Sequence, residues 1–122
     1  MNLLDTHVLV WALNAPAKLS PAARRIIEAG EVVVSAVSLW EMILKKGRNL
    51  EIVPDPGAWW DRHIRRTGAA ILPIKDVHIM HLDSLPLHHA DPFDRILICQ
   101  CIHEGKDAHL RDHYQAYVHI VW

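Results

Sequence analysis

An α/β fold is what this sequence predicts: three layers, with a parallel central sheet of about four to five strands and helices on both faces. Three observations lead there. Residues 2–5, 31–35 and 69–73 are short apolar runs without polar alternation, as in strands buried on both faces. Longer stretches with helical spacing and helix start and stop residues lie between them. Strands that alternate with helices form a parallel sheet, and right-handed crossovers bring the carboxyl ends of those strands to one edge.

Each element has its own reason. Residues 2–5 form the first strand and residues 7–14 the first helix, with Val8, Leu9, Trp11 and Ala12 apolar. Ser20 is an N-cap with Pro21 at the first helical position. That helix runs through Ile26-Ile27 and stops at Gly30. The β-branched run 31–35 is the second strand, and a helix follows from Ser38 to about Arg48. Asp55-Pro56 opens a helix that carries Trp59, Trp60 and Ile64 and closes near Gly68. Residues 69–73 are the third strand and 76–85 are helical. Asp91-Pro92-Phe93 opens a strong helix through Ile96, Leu97, Ile98, Cys101 and Ile102, ending at Gly105. Residues 108–110 are a weak strand and 118–122 the last one.

The chain has 122 residues, the size of one domain spanning 1–122. Half its residues (51%) are hydrophobic, enough for a proper core. No apolar run approaches the roughly 20 residues that cross a bilayer, and no basic flank precedes a long apolar segment as in a secretory signal. Cys99 and Cys101 are two apart on a helix, face different ways as a core and a surface position, and do not pair, which fits a reduced, cytoplasmic compartment. The net charge of −1 does not advertise nucleic-acid binding. A bound metal would supply positive charge that a residue count misses.

In parallel sheets the ligand crevice lies beyond the carboxyl ends of the strands. Asp5 sits at such an end, where a charge is costly to bury and unnecessary for folding. Glu41 lies among apolar neighbours; it either pairs with Lys45 at i+4 on an exposed face or serves a site. Asp91 is an N-cap, and Asp94, at N3, suits the helix dipole. Asp112 is placed to cap a short final helix. Topology nevertheless brings Asp5, Glu41, Asp94 and Asp112 towards one edge. Clustered carboxylates repel one another unless protons or cations lie between them. An all-oxygen set favours Mg²⁺ or Mn²⁺.

The sequence resembles PIN-domain ribonucleases of the VapC type, the toxic half of type II toxin–antitoxin pairs. The resemblance rests on Leu4-Asp5-Thr6-His7-Val8 with Trp11, on Ser38-Leu39-Trp40-Glu41, on Leu72-Pro73, and on Asp91-Pro92-Phe93-Asp94-Arg95 with its flanks. It implies a PIN-like fold and makes Asp5, Glu41 and Asp94 the metal-binding and catalytic acids. Thr6 and Ser38 become polar supports, and Asp112 the fourth acid. Leu110 stands where the family has Thr or Ser before that acid. The implied reaction is hydrolysis of single-stranded RNA by carboxylate-held Mg²⁺, which activates a water. A cognate antitoxin is the implied partner; a homodimer, the commonest closed assembly, is expected through the same surfaces that would receive it.

Around this core other readings stay open. Arg95 contacts a phosphate or pairs with Glu104 or Asp91. Lys45, Lys46, Arg48, Arg62, Arg65 and Arg66 guide an RNA backbone or are solvated helix faces. Trp59, Trp60 and Met42 pack internally or receive a partner helix. His78 and His81 share a helix face, and His88-His89 precede Asp91, but no zinc-binding frame accompanies them. The rival from another class is a catalytically silent PIN-like module that sequesters a protein partner, favoured by the altered Leu110-Arg111-Asp112. A phosphate-accepting signalling domain would need a lysine after a late strand, and none follows Leu110.

Overall fold

A computed structural model describes residues 2–46, 48, 53–86, 90–105 and 107–109. Asp112, His88, His89 and the expected last strand at 118–122 lie outside the described residues.

The strands are β1 (Asn2–Leu4), β2 (Val32–Ser35), β3 (Ile71–Leu72) and β4 (Asp107–His109). The helices are α1 (Thr6–Asn14), α2 (Pro21–Glu28), α3 (Ala36–Leu44), α4 (Pro56–Trp60), α5 (Asp76–Met80) and α6 (Pro92–Glu104). All strand pairs are parallel, in the order β3-β2-β1-β4. Leu3 aligns with Val33 and Ala108, and Ser35 with Leu72. The four strands among the described residues fall within the expected four to five.

Two apolar layers follow from the period-2 alternation of β1 and β2. Leu3 and Val33 face α6, packing with Phe93, Ile96, Leu97 and Ile98. Leu4 and Val34 face the other way, into Val8, Leu9, Met42, Trp59, Trp60 and Ile64. The sheet is thus covered on both sides, which is why its strands carry so few polar residues.

Local signals set most element ends. Ser20 Oγ accepts from Ala23 N–H at 3.1 Å, and Asp55 Oδ1 from Ala58 N–H at 3.3 Å. Gly105 ends α6 at φ +66°, a left-handed position that favours glycine. α4 continues through a wider turn over Asp61–Arg65, and α5 through a tighter one over His81–Ser84.

Two expectations need correction, and two open readings are settled. α3 begins at Ala36 rather than Ser38, because Ser35 both ends β2 and caps the helix, accepting from Val37 N–H at 3.0 Å. Cys101 is buried like Cys99, since α6 is enclosed on all sides from Ile96 to Cys101. Trp59, Trp60 and Met42 are core residues, so none of them offers a docking surface. His78 and His81 do not share one environment: His78 is fully buried, and His81 is partly exposed. His78 Nδ1 accepts from Lys75 N–H at 3.0 Å and its Nε2 meets Glu104 Oε1 at 3.0 Å, which ties α5 to the end of α6.

Candidate active site

The site begins with Asp5, the residue after β1. It is 3% exposed. As N-cap of α1, its Oδ1 accepts from His7 N–H at 3.3 Å. Next to it, Thr6 Oγ1 donates to Ser38 Oγ at 2.9 Å, and both residues are fully buried. This bond joins the first turns of α1 and α3, which leave neighbouring strands. The two predicted supports therefore do meet.

Glu41 lies one turn beyond Ser38 on α3 and is 1% exposed. Its Oε2 accepts from Lys45 Nζ at 2.7 Å. Its Oε1 is buried and accepts no hydrogen bond from the described residues. The i+4 pair expected from the sequence exists, but on a buried face. A buried carboxylate oxygen without a donor calls for a cation or a proton.

Asp91 and Asp94 come from the start of α6. Asp91 Oδ1 accepts from Phe93 N–H at 2.9 Å and Asp94 N–H at 3.4 Å. Its Oδ2 accepts from Lys45 Nζ at 2.9 Å. One oxygen each from Glu41, Asp91 and Asp94 lies within 4.8 Å of the others. The structure thus brings Glu41 and Asp94 together and adds Asp91, which the sequence marked only as a cap. Asp5 is outside that group of three, at the end of the adjoining strand β1 and next to Thr6.

Electrostatics follow from the geometry. Burial works against the charges of Lys45 and Asp91, but their mutual hydrogen bond and attraction outweigh it. Glu41 adds to the effect on Lys45, and the Phe93 and Asp94 amides to that on Asp91. The lysine is therefore held above its ordinary value and the aspartate below its own. Lys45 is consequently a site residue, not part of an outward basic face.

Beneath the site runs a polar strut that sequence reading missed. Gln100, fully buried on α6, accepts from Ser35 Oγ at 2.6 Å and donates to Pro73 O at 3.2 Å. It ties the ends of β2 and β3 to α6. A lone amide inside the apolar run Ile96–Cys101 was the available signal. Arg95 donates to Pro86 O at 3.2 Å and Leu85 O at 3.3 Å. It also lines an apolar groove of about 500 Å³ with Trp40, Ile74, Ile79, Leu82 and Ile96.

The acids fit a hard dication. All candidate donors are oxygens, three converge, and the buried Glu41 Oε1 accepts no hydrogen bond from the described residues. Acids of this kind, at the carboxyl ends of a parallel sheet, define a class of α/β metal-site domains. The chain belongs to the PIN domain family, whose model matches residues 3–115. It is 32% identical over 131 aligned positions to Ribonuclease VapC22 of Mycobacterium tuberculosis (strain ATCC 25618 / H37Rv), an alignment covering 98% of this chain and 97% of that one. The VapC-type resemblance of the sequence is thereby borne out. Its fold is similar to that in a solved structure of FitAcB from Neisseria gonorrhoeae (TM-score 0.66, 18% identity, 98% and 96% of the two chains). It is also similar to that of FitAB bound to an IR36 DNA fragment (TM-score 0.64, 18% identity, 98% and 93%).

Proposed function

We propose that this protein is a Mg²⁺- or Mn²⁺-dependent endoribonuclease that hydrolyses single-stranded RNA, the toxin of a toxin–antitoxin pair. The observation that carries the reading is the buried Glu41 Oε1, without a hydrogen-bond donor, beside Asp94. The family and the similarity to a named ribonuclease support it. Asp5, Glu41 and Asp94 would hold the ion, with Asp112 as a further catalytic acid. When bound, a dication lowers the pKa of a water and offsets charge growing on the phosphoryl oxygens.

The chain's own residues do the rest. The Thr6–Ser38 bond holds α1 against α3, so that Asp5 and Glu41 keep their spacing. Lys45 fixes one oxygen of Glu41 and leaves the other turned inward. Arg95, which donates to the Leu85 and Pro86 carbonyls, would turn from them to meet a phosphate of the RNA.

The partners would be RNA, a cognate antitoxin and a second copy of the chain, in the cytoplasm. Trp40, Ile79 and Met80 are exposed, and they offer apolar area that such association would bury. Among the described residues no helix is long and apolar enough to cross a membrane. The test is incubation with single-stranded RNA, with Mn²⁺ or with EDTA. Cleavage should stop in EDTA and fall at least about a hundredfold in Glu41→Gln and Asp94→Asn, in line with loss of a group that acts in the transition state. Cleavage that survives EDTA would overturn the reading. The second reading is a catalytically silent PIN-like module, in which Lys45 simply neutralises Glu41 and Asp91. It requires no cleavage under any condition.

A further inference from the structure

The acidic cluster contains a cation of its own. Lys45 Nζ contacts Glu41 Oε2 at 2.7 Å and Asp91 Oδ2 at 2.9 Å. It also stands 5.5 Å from the centre of the Phe93 ring, a favourable place for an ammonium. Its exposure is only 24%. Proximity alone groups Asp91 with Glu41 and Asp94, but hydrogen bonding separates them. Asp91 has Oδ1 engaged by two backbone amides and Oδ2 by Lys45. Glu41 has Oε2 engaged by Lys45 and Oε1 without a hydrogen bond among the described residues.

We propose that Lys45 is a positioning residue that withholds Asp91 from the ion and limits how tightly the site binds it. The inference rests on reading the acids as a metal site. Lys45 clamps Oε2 of Glu41, so Oε1 is the oxygen offered. It keeps Asp91 a helix cap. Within the Glu41, Asp91 and Asp94 group the ammonium lowers the net negative charge that an arriving cation meets from three to two. Affinity for a hard cation rises with the number of anionic ligands. A dication with fewer of them keeps more charge for the phosphodiester.

The experiment is a Mn²⁺ titration at fixed pH, read by calorimetry and by the electron paramagnetic resonance signal of free Mn²⁺. Lys45→Met removes a unit charge in contact with two carboxylates. It should tighten binding about tenfold or more, because even the dielectric of water leaves that much repulsion at such range. Lys45→Gln serves if Lys45→Met does not fold. Lys45→Arg keeps the charge and should stay near wild type. Asp91→Asn, which still caps a helix, should abolish the gain in the Lys45→Met background, and alone should weaken wild-type binding by no more than the same charge effect, about tenfold. Unchanged or weaker binding by folded Lys45→Met and Lys45→Gln would overturn the inference, provided Asp94→Asn still weakens the wild type. If wild type and Asp94→Asn take up Mn²⁺ alike, the metal reading itself fails and this inference with it.

Discussion

Replacing Gln100 by leucine tests whether the buried amide strut holds the sheet edge that carries the acids. Leucine keeps roughly the volume of the side chain but cannot hydrogen-bond. Two groups lose a partner. Ser35 Oγ is fully buried, so its O–H would be stranded at a cost of about 1–3 kcal/mol. Pro73 O lies in an exposed residue, and water can replace Gln100 there at little cost. The more apolar side chain returns part of the loss. The net expectation is a destabilisation of about 1–2 kcal/mol, or a Tm lower by about 3–8 °C for a domain of this size. Ser35→Ala should cost more, because it also removes the α3 cap, itself worth about 1 kcal/mol. Urea unfolding followed by circular dichroism gives all four corners of a double-mutant cycle. Ser35→Ala with Gln100→Leu should be less destabilised than the sum of the singles by about 1 kcal/mol. Additive effects, or a Gln100→Leu cost below about 0.5 kcal/mol, would refute the strut.

Other outcomes follow from the same contacts. Thr6→Val strands the buried Ser38 hydroxyl; it should cost about 1–2 kcal/mol in urea unfolding and lower RNA cleavage at saturating Mn²⁺. The Lys45–Asp91 pair gives a pH dependence, measured by melting with EDTA present. Asp91 is held below its ordinary value, so its stabilisation is complete above about pH 4 and fades as pH falls through the lowered value. Lys45 is held above its ordinary value, so its share is complete below about pH 10 and fades as pH rises further. Asp91→Asn should flatten the acid side of that profile. Burial pushes the Cys99 thiol up, so neither it nor the buried Cys101 should react with a thiol reagent at neutral pH until urea unfolds the chain.

What the sequence disclosed, and what it hid, divides by range. β1, β2 and the helices after them were legible because each is announced by neighbours: apolar runs, Ser20 and Asp55 as caps, Gly30 and Gly105 as stops. Asp5 follows β1 and Asp94 lies in the first turn of α6, positions the sequence already marked because strand ends and helix starts are announced locally. Contacts distant in sequence were not legible. Lys45 reaches Glu41 four residues away, which helical spacing reveals, and Asp91 forty-six residues away, which nothing local reveals. The Ser35–Gln100 bond spans sixty-five residues. Asp91 was underestimated for a different reason: its capping role accounts for one oxygen so well that nothing prompted a search for the partner of the other. Cys101 was misplaced because α6 is buried all round, and a helix without a polar stripe gives no face to read.

A pocket of carboxylates opposes folding, and this fold compensates the acids unequally. Asp5 caps α1, and Asp91 caps α6 with Asp94 in its first turn. Each helix N-terminus carries about half a positive charge, so these three acids stand where the backbone already favours anions. Glu41 differs. It lies in the body of α3, away from the start of that helix, and is the most deeply buried of the four described acids. Its compensation is the Lys45 ammonium, on one oxygen. A cation arriving beside Asp91 and Asp94 therefore meets at Glu41 an oxygen with no hydrogen bond to surrender among the described residues. Glu41, which no helix N-terminus compensates, gains from such an ion what the backbone supplies to the other acids.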